Sequence, residues 1–199
     1  MTNKITIILL VCSLSFSAVA QKSYPLDIKK SKILWKIETV GKHNGQILFS
    51  WGKLDYTAKS EPLAASFIMD MDKMTSLDRP TEKGRAGIDN ELRSKGFFDV
   101  PVYPTATMVV KQILKTPTPN VFRVTGDLTI KGITHSIEFN AAIVKKGELI
   151  TAKANFNIAR KKWKIDFHEK PNDWDFTAAI KNKMIDEDIQ ISLDLTFGK

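Results

Sequence analysis

The chain has 199 residues with 30 Lys+Arg against 22 Asp+Glu, a single cysteine and three histidines. One cysteine excludes a disulfide framework, and three scattered histidines supply too few ligands for a thiolate or imidazole metal centre. The formal charge of +8 suits an anionic partner. The lysines are dispersed, however, and fit a weak, transient contact with a membrane surface better than a binding patch.

The first twenty residues have the three-part layout of a secretory signal peptide. Lys4 precedes the apolar run 5–16, and Ser17-Ala18-Val19-Ala20 places small residues at the −3 and −1 cleavage positions. The run is too short to span a bilayer, which takes about 20 residues. Val11 before Cys12 disfavours lipid attachment at that cysteine. The expected mature chain therefore starts at Gln21, is periplasmic and contains no cysteine, which excludes thiol chemistry. No nucleic acid is expected there.

Residues 21–199 read as one domain, because no linker, repeat or low-complexity segment divides them. Two-residue alternation dominates, the mark of half-buried strands. Ile33, Trp35 and Ile37 alternate with Lys36 and Glu38. A strand over 45–56 carries Phe49 and Trp51, with Gly52 marking a bulge before Leu54 and Tyr56. The stretch 63–71 sets Phe67, Met69 and Met71 against Asp70. Residues 87–95 space Ile88 and Leu92 four apart and end before Gly96, which predicts one short helix.

Strands follow at 105–114 and 121–130, separated by the loop Thr116-Pro-Thr-Pro-Asn120. Lys131-Gly132 predicts a tight hairpin into 133–143, where Ile133, His135, Ile137, Phe139, Ala141 and Ile143 share one parity. Lys146-Gly147 predicts another turn before 149–158. Residues 159–182 are polar and read as a long loop with one turn of helix. Ile189, Ile191, Leu193, Leu195 and Phe197 alternate with polar residues in the last strand.

Eight strands, each with one apolar face, must bury those faces in a sandwich or a closed barrel. A barrel of that size is filled by side chains or holds one small ligand. The bulky apolar positions are Trp35, Ile37, Phe49, Phe67, Met69, Phe122, Val124, Ile137, Phe139, Phe156 and Leu193. They line either an ordinary core or a binding lumen. Chemistry has little to build on. His43, His135 and His168 lack metal-ligand spacing, and no serine sits in a nucleophile elbow. Asp70, Asp72 and Asp78 form an acid cluster in which Asp70 and Asp72 share a strand face that could bind Ca²⁺, but a solvated outer face opposite Phe67, Met69 and Met71 is the better account. No catalytic residue, cofactor or metal is expected.

Two segments resemble the hallmark stretches of the YceI-like family, exported lipocalin-like proteins that bind polyisoprenoid lipids. They are Phe97-Phe98-Asp99-Val100-Pro101-Val102-Tyr103-Pro104-Thr105-Ala106 and the run 124–134, Val-Thr-Gly-Asp-Leu-Thr-Ile-Lys-Gly-Ile-Thr. Ser31-x-Ile33-x-Trp35, Thr75-Ser76-Leu77, Glu91-Leu92-Arg93-Ser94 and Ile185-x-x-x-Ile189-x-Ile191 agree in order. The resemblance covers roughly 24–195. It implies an extended eight-stranded antiparallel lipocalin-like barrel with one short helix. It also implies an apolar lumen for a long-chain isoprenoid lipid, sometimes an isoprenoid quinone, and it allows a homodimer. One segment departs from the family pattern: Trp163 in Ala159-Arg160-Lys161-Lys162-Trp163-Lys164-Ile165 stands where relatives carry a glycine-containing stretch. It is expected to reshape the barrel mouth. Three rivals stand beside a carrier: a transmembrane β-barrel, an exported enzyme acting on an apolar substrate, and a filled envelope barrel without ligand.

Overall fold

The computed structural model describes residues 21–37, 43–165 and 188–198. The predicted signal peptide, His168 and most of the loop predicted at 159–182 lie outside them.

Every predicted strand forms. In chain order they are β1 (Lys22–Pro25), β2 (Lys32–Ile37), β3 (His43–Tyr56), β4 (Pro62–Ser76), β5 (Thr105–Lys115), β6 (Val121–Ile130), β7 (Ile133–Lys146), β8 (Leu149–Ala159) and β9 (Asp188–Phe197), with one helix, α1 (Glu82–Arg93). The sheet order is β1-β3-β2-β9-β8-β7-β6-β5-β4, and pairing of β3 with β4 closes it. The result is a closed eight-strand antiparallel barrel.

The short β1 was not predicted, and it does not add a ninth stave. It pairs with Lys53–Tyr56 of β3 while β2 pairs with His43–Ile47 of the same strand. Leu26 bridges Phe197 of β9, and Asp27 donates to the Thr196 carbonyl at 2.8 Å. β1 and β2 are thus two halves of one stave between β3 and β9, broken by the turn at 28–30.

Alternation sets which face is inside. Along β7, Thr134, Ser136, Glu138 and Asn140 are exposed, while Ile137 and Phe139 are half-buried and Ala141 and Ile143 buried. The apolar parity faces inward, the reverse of a transmembrane barrel, whose apolar band faces lipid. That rival is overturned. The hairpin between β6 and β7 has positive φ at both Lys131 (51°) and Gly132 (69°), the arrangement whose twist matches the flanking strands.

Two local expectations are corrected. The irregularity in β3 lies at Ser50, because Phe49 pairs with Met69 and Trp51 with Ile68. The extra residue flips the parity, so Trp51 points outward, 46% exposed, while Leu54 and Tyr56 are buried. Gly52 stays in register and leaves room for Leu26 and Phe67. The helix begins five residues before the expected 87. Thr81 caps it, its hydroxyl accepting from the Gly84 N–H at 3.1 Å. Gly84 and Gly87 weaken the helical signal in that first part, and the cap decides the start.

Side chains on α1 hold it to β4. The buried Asp89 carboxylate accepts from the Ser76 N–H at 2.6 Å and the Thr75 hydroxyl at 3.0 Å. Arg93 donates to the carbonyls of Met74 (2.8 Å) and Asp72 (3.0 Å). The following turn buries Phe97, Phe98 and Val100.

Candidate functional site

The inward faces leave a void rather than a filled core. It comprises about 930 Å³ of space free of protein atoms, counting the part open to solvent, and the lining described is apolar throughout. A second void of about 430 Å³ shares Phe67, Val110, Phe139, Leu193 and Leu195 with the first and extends to Leu54, Ile143 and Phe197. The two voids adjoin through these shared residues.

Each end has its own closure. Leu92 of α1 and Phe98 of the next turn line the main void from the helix side. At the other end Ile150 and Phe197 are fully buried. Beside them Tyr24 and Tyr56 meet edge to face at 5.4 Å, and the Lys145 ammonium lies 4.9 and 4.7 Å from their ring centres. Burial pushes the Tyr56 phenol up to about 12.

Nine of the eleven expected residues line the main void: Trp35, Ile37, Phe49, Phe67, Met69, Ile137, Phe139, Phe156 and Leu193. Val124 lines the second. Phe122 lines neither. It is half-buried against the core at the start of β6, because parity tells the face of a strand and not the depth along a barrel. Parity would also have found Met108, Leu128, Ile158, Ile189 and Ile191, which share the lining. Leu92 and Phe98 come from outside the strands, and no strand pattern points to them.

The polar candidates do not line the main void, though His43 and Glu91 line a smaller cavity that shares Trp35, Ile37 and Leu92 with it. Asp70 pairs with Lys73 at 3.0 Å on the outer wall. Asp78 pairs with His43 at 2.6 Å at the rim. Among the described residues no group of three or more His, Cys, Asp or Glu is placed to hold a metal. His135 meets the Lys162 carbonyl at 2.9 Å and the Trp163 ring edge-on at 5.2 Å. Trp163 is itself buried and donates to the Leu128 carbonyl at 3.2 Å. It packs against the wall at β6 and β7 and is not part of the described lining of either void.

The decisive comparison is with protein families: the model of the YceI-like domain matches residues 24–197. The chain belongs to the YceI-like family. UPF0312 protein plu2095 of Photorhabdus laumondii is 30% identical over 122 residues, 61% of this chain and 58% of that protein. The chain thus matches little more than half of that relative's length. Among solved structures, Burkholderia cenocepacia BcnA superposes with a TM-score of 0.67 at 21% identity, over 86% of this chain and 98% of its own. A polyisoprenoid binding domain from Saccharophagus degradans, implicated in plant cell wall breakdown, gives 0.61 at 12% identity, over 88% and 97%. The Campylobacter jejuni YCEI protein gives 0.55 at 16%, over 100% and 91%. At these identities the structural likenesses show the YceI-like barrel fold.

Proposed function

We propose that this YceI-like protein is an exported, periplasmic carrier. It holds one long-chain isoprenoid lipid, a polyisoprenoid or an isoprenoid quinone, in the barrel lumen. The observation that carries this reading is the apolar lining described around the main void and around the second void that adjoins it, where Lys153 is the one charged residue among those lining it. The polyisoprenoid binding named for the Saccharophagus degradans relative and the signal-peptide layout of residues 1–20 support it.

The energetics suit such a ligand. Each buried CH₂ contributes about 0.8 kcal/mol, so about ten of them offset much of the roughly 4–15 kcal/mol lost on association. In this reading Trp35, Ile37, Phe49, Phe67, Met69, Ile137, Phe139, Phe156 and Leu193 contact the chain of the lipid, and Val124 meets its far end. The carrier touches the membrane transiently to load and release. The lining described for the main void supplies no carboxylate, imidazole or hydroxyl, and an enzyme needs a nucleophile or an acid–base pair beside its substrate. The reading is therefore one of binding without turnover.

The test is mass spectrometry of an organic extract from protein purified out of its native envelope. An isoprenoid lipid at close to one per chain is the expected result. A lipid-free protein that also takes up no isoprenoid in vitro would overturn the reading.

A further inference from the structure

Beside α1 a smaller cavity adjoins the main void. It comprises about 350 Å³ free of protein atoms, counting the part open to solvent, and Trp35, Ile37 and Leu92 line both spaces. Its lining sets it apart. His43, at the start of β3, and Glu91, exposed on α1, bring ionisable side chains to it. No lysine or arginine is among the residues described around it.

The His43 ring is fixed by a carboxylate that is itself fixed. Nδ1 lies 2.6 Å from one carboxylate oxygen of Asp78. The other oxygen accepts from the Asn44 N–H and from the Asn44 side-chain amide, both at 2.9 Å. The Asp78 N–H donates to Ser76 Oγ at 3.2 Å. An ionised carboxylate only accepts, so the proton in the bond to His43 belongs to Nδ1, and the neutral ring presents Nε2 as an acceptor. Among the described residues neither Nε2 nor the Glu91 carboxylate has a hydrogen-bond partner.

We infer that His43 and Glu91 receive the head of the bound isoprenoid, and that this head carries a hydroxyl. This rests on the carrier reading above and narrows its ligand. Both groups accept, so the matching head brings a donor without bringing a charge. A prenyl alcohol and the reduced, dihydroxy head of an isoprenoid quinone share that chemistry. An oxidised quinone offers only acceptors and would set oxygen against oxygen. A phosphate head would meet the carboxylates of Glu91 and Asp78, and like charges held close repel. The same placement puts the head beside α1 and the tail in the main void.

The test titrates five ligands with one prenyl tail into the mature wild-type chain: the alcohol, its methyl ether, the benzohydroquinone, its dimethyl ether and the monophosphate. Each ether keeps its oxygens and loses its donors. Wild type is expected to bind each hydroxyl ligand about tenfold more tightly than the matching ether, the scale of one hydrogen bond. The phosphate should bind more weakly than the alcohol. The tighter of the alcohol and the hydroquinone tells which source of hydroxyl the site takes. His43→Phe, which keeps a ring, and Glu91→Ala should each bring the hydroxyl-to-ether ratio down to about threefold or less. In wild type the His43 Nε2 resonance, identified by its absence in His43→Phe, should move with the alcohol and not with its ether. The wild-type ratios and Glu91→Ala, at an exposed helix position, carry the test even if His43→Phe folds poorly. Three results overturn the inference and leave the carrier reading intact: equal wild-type affinity for hydroxyl ligands and ethers, a ratio that survives both substitutions, or a phosphate bound more tightly than the alcohol. No binding of any ligand overturns both.

Discussion

Phe139 of β7 and Phe156 of β8 stack face to face, their ring centres 4.2 Å apart and their planes 12° from parallel, beyond the last backbone pair that joins their strands. That ladder runs from Lys146↔Leu149 to Ala141↔Ala154 and stops. Below it β7 continues along β6 and β8 continues along β9. Extending the register would set Phe139 opposite Phe156, so side-chain stacking replaces backbone bonds there. The His135 contact with the Lys162 carbonyl closes the wall further down.

Removing either ring should loosen this part of the wall. A double-mutant cycle on Phe139→Ala and Phe156→Ala is expected to give a coupling of about 0.5–1.5 kcal/mol by chemical denaturation. Hydrogen exchange should rise first at residues 135–140. Strictly additive losses would show that the rings do not act as a pair.

Ile137, also on this stretch, lines the main void, whereas its neighbour Glu138 is 58% exposed beside Arg123. Ile137→Lys should empty the barrel of lipid, since an ammonium there must be desolvated or snorkel out. Ile137→Ala should alter ligand affinity more than apo stability, because it enlarges a space that already exists. A filled core would instead lose roughly 2–5 kcal/mol on that truncation. Glu138→Lys, on the outer face, should shift stability by less than about 1 kcal/mol. Lipid content equal to wild type in both Ile137 variants would remove this strand from the lumen.

Asp89 ties α1 to the end of β4 through the Ser76 N–H and the Thr75 hydroxyl. Asp89→Ala strands a buried backbone donor and should cost about 1–3 kcal/mol. Asp89→Asn keeps one acceptor oxygen and should recover part of that. Because Leu92 and Phe98 line the lumen beside this anchor, the alanine variant should also release bound lipid faster. Unchanged denaturation midpoints in both variants would remove Asp89 from the account of helix docking.

Acid should weaken the rim. Burial alone would raise the Asp78 carboxyl, but bonds from His43, the Asn44 backbone and Ser76 outweigh it and hold the group below its ordinary 3.8. A carboxyl lowered in the folded state adds stability that is complete above the unfolded pKa and is lost as pH falls through the folded value. Wild type should therefore lose Tm more steeply below pH 3.8 than Asp78→Asn. Parallel Tm curves for the two proteins over that range would count against this pair.

Strand positions, hairpin turns and the inward parity were legible because a strand exposes alternate residues to opposite sides, and burial on one side leaves that alternation in the chain. Nine of the eleven expected residues sit on the main void for this reason. Only the tertiary structure decided the rest. The bulge at Ser50, the joining of β1 and β2 into one stave, and the break between β7 and β8 depend on how distant segments register. A chain pattern shows which residues face inward, but not how far apart opposing walls stand. Whether those faces meet as a packed core or leave a lumen is settled by that distance.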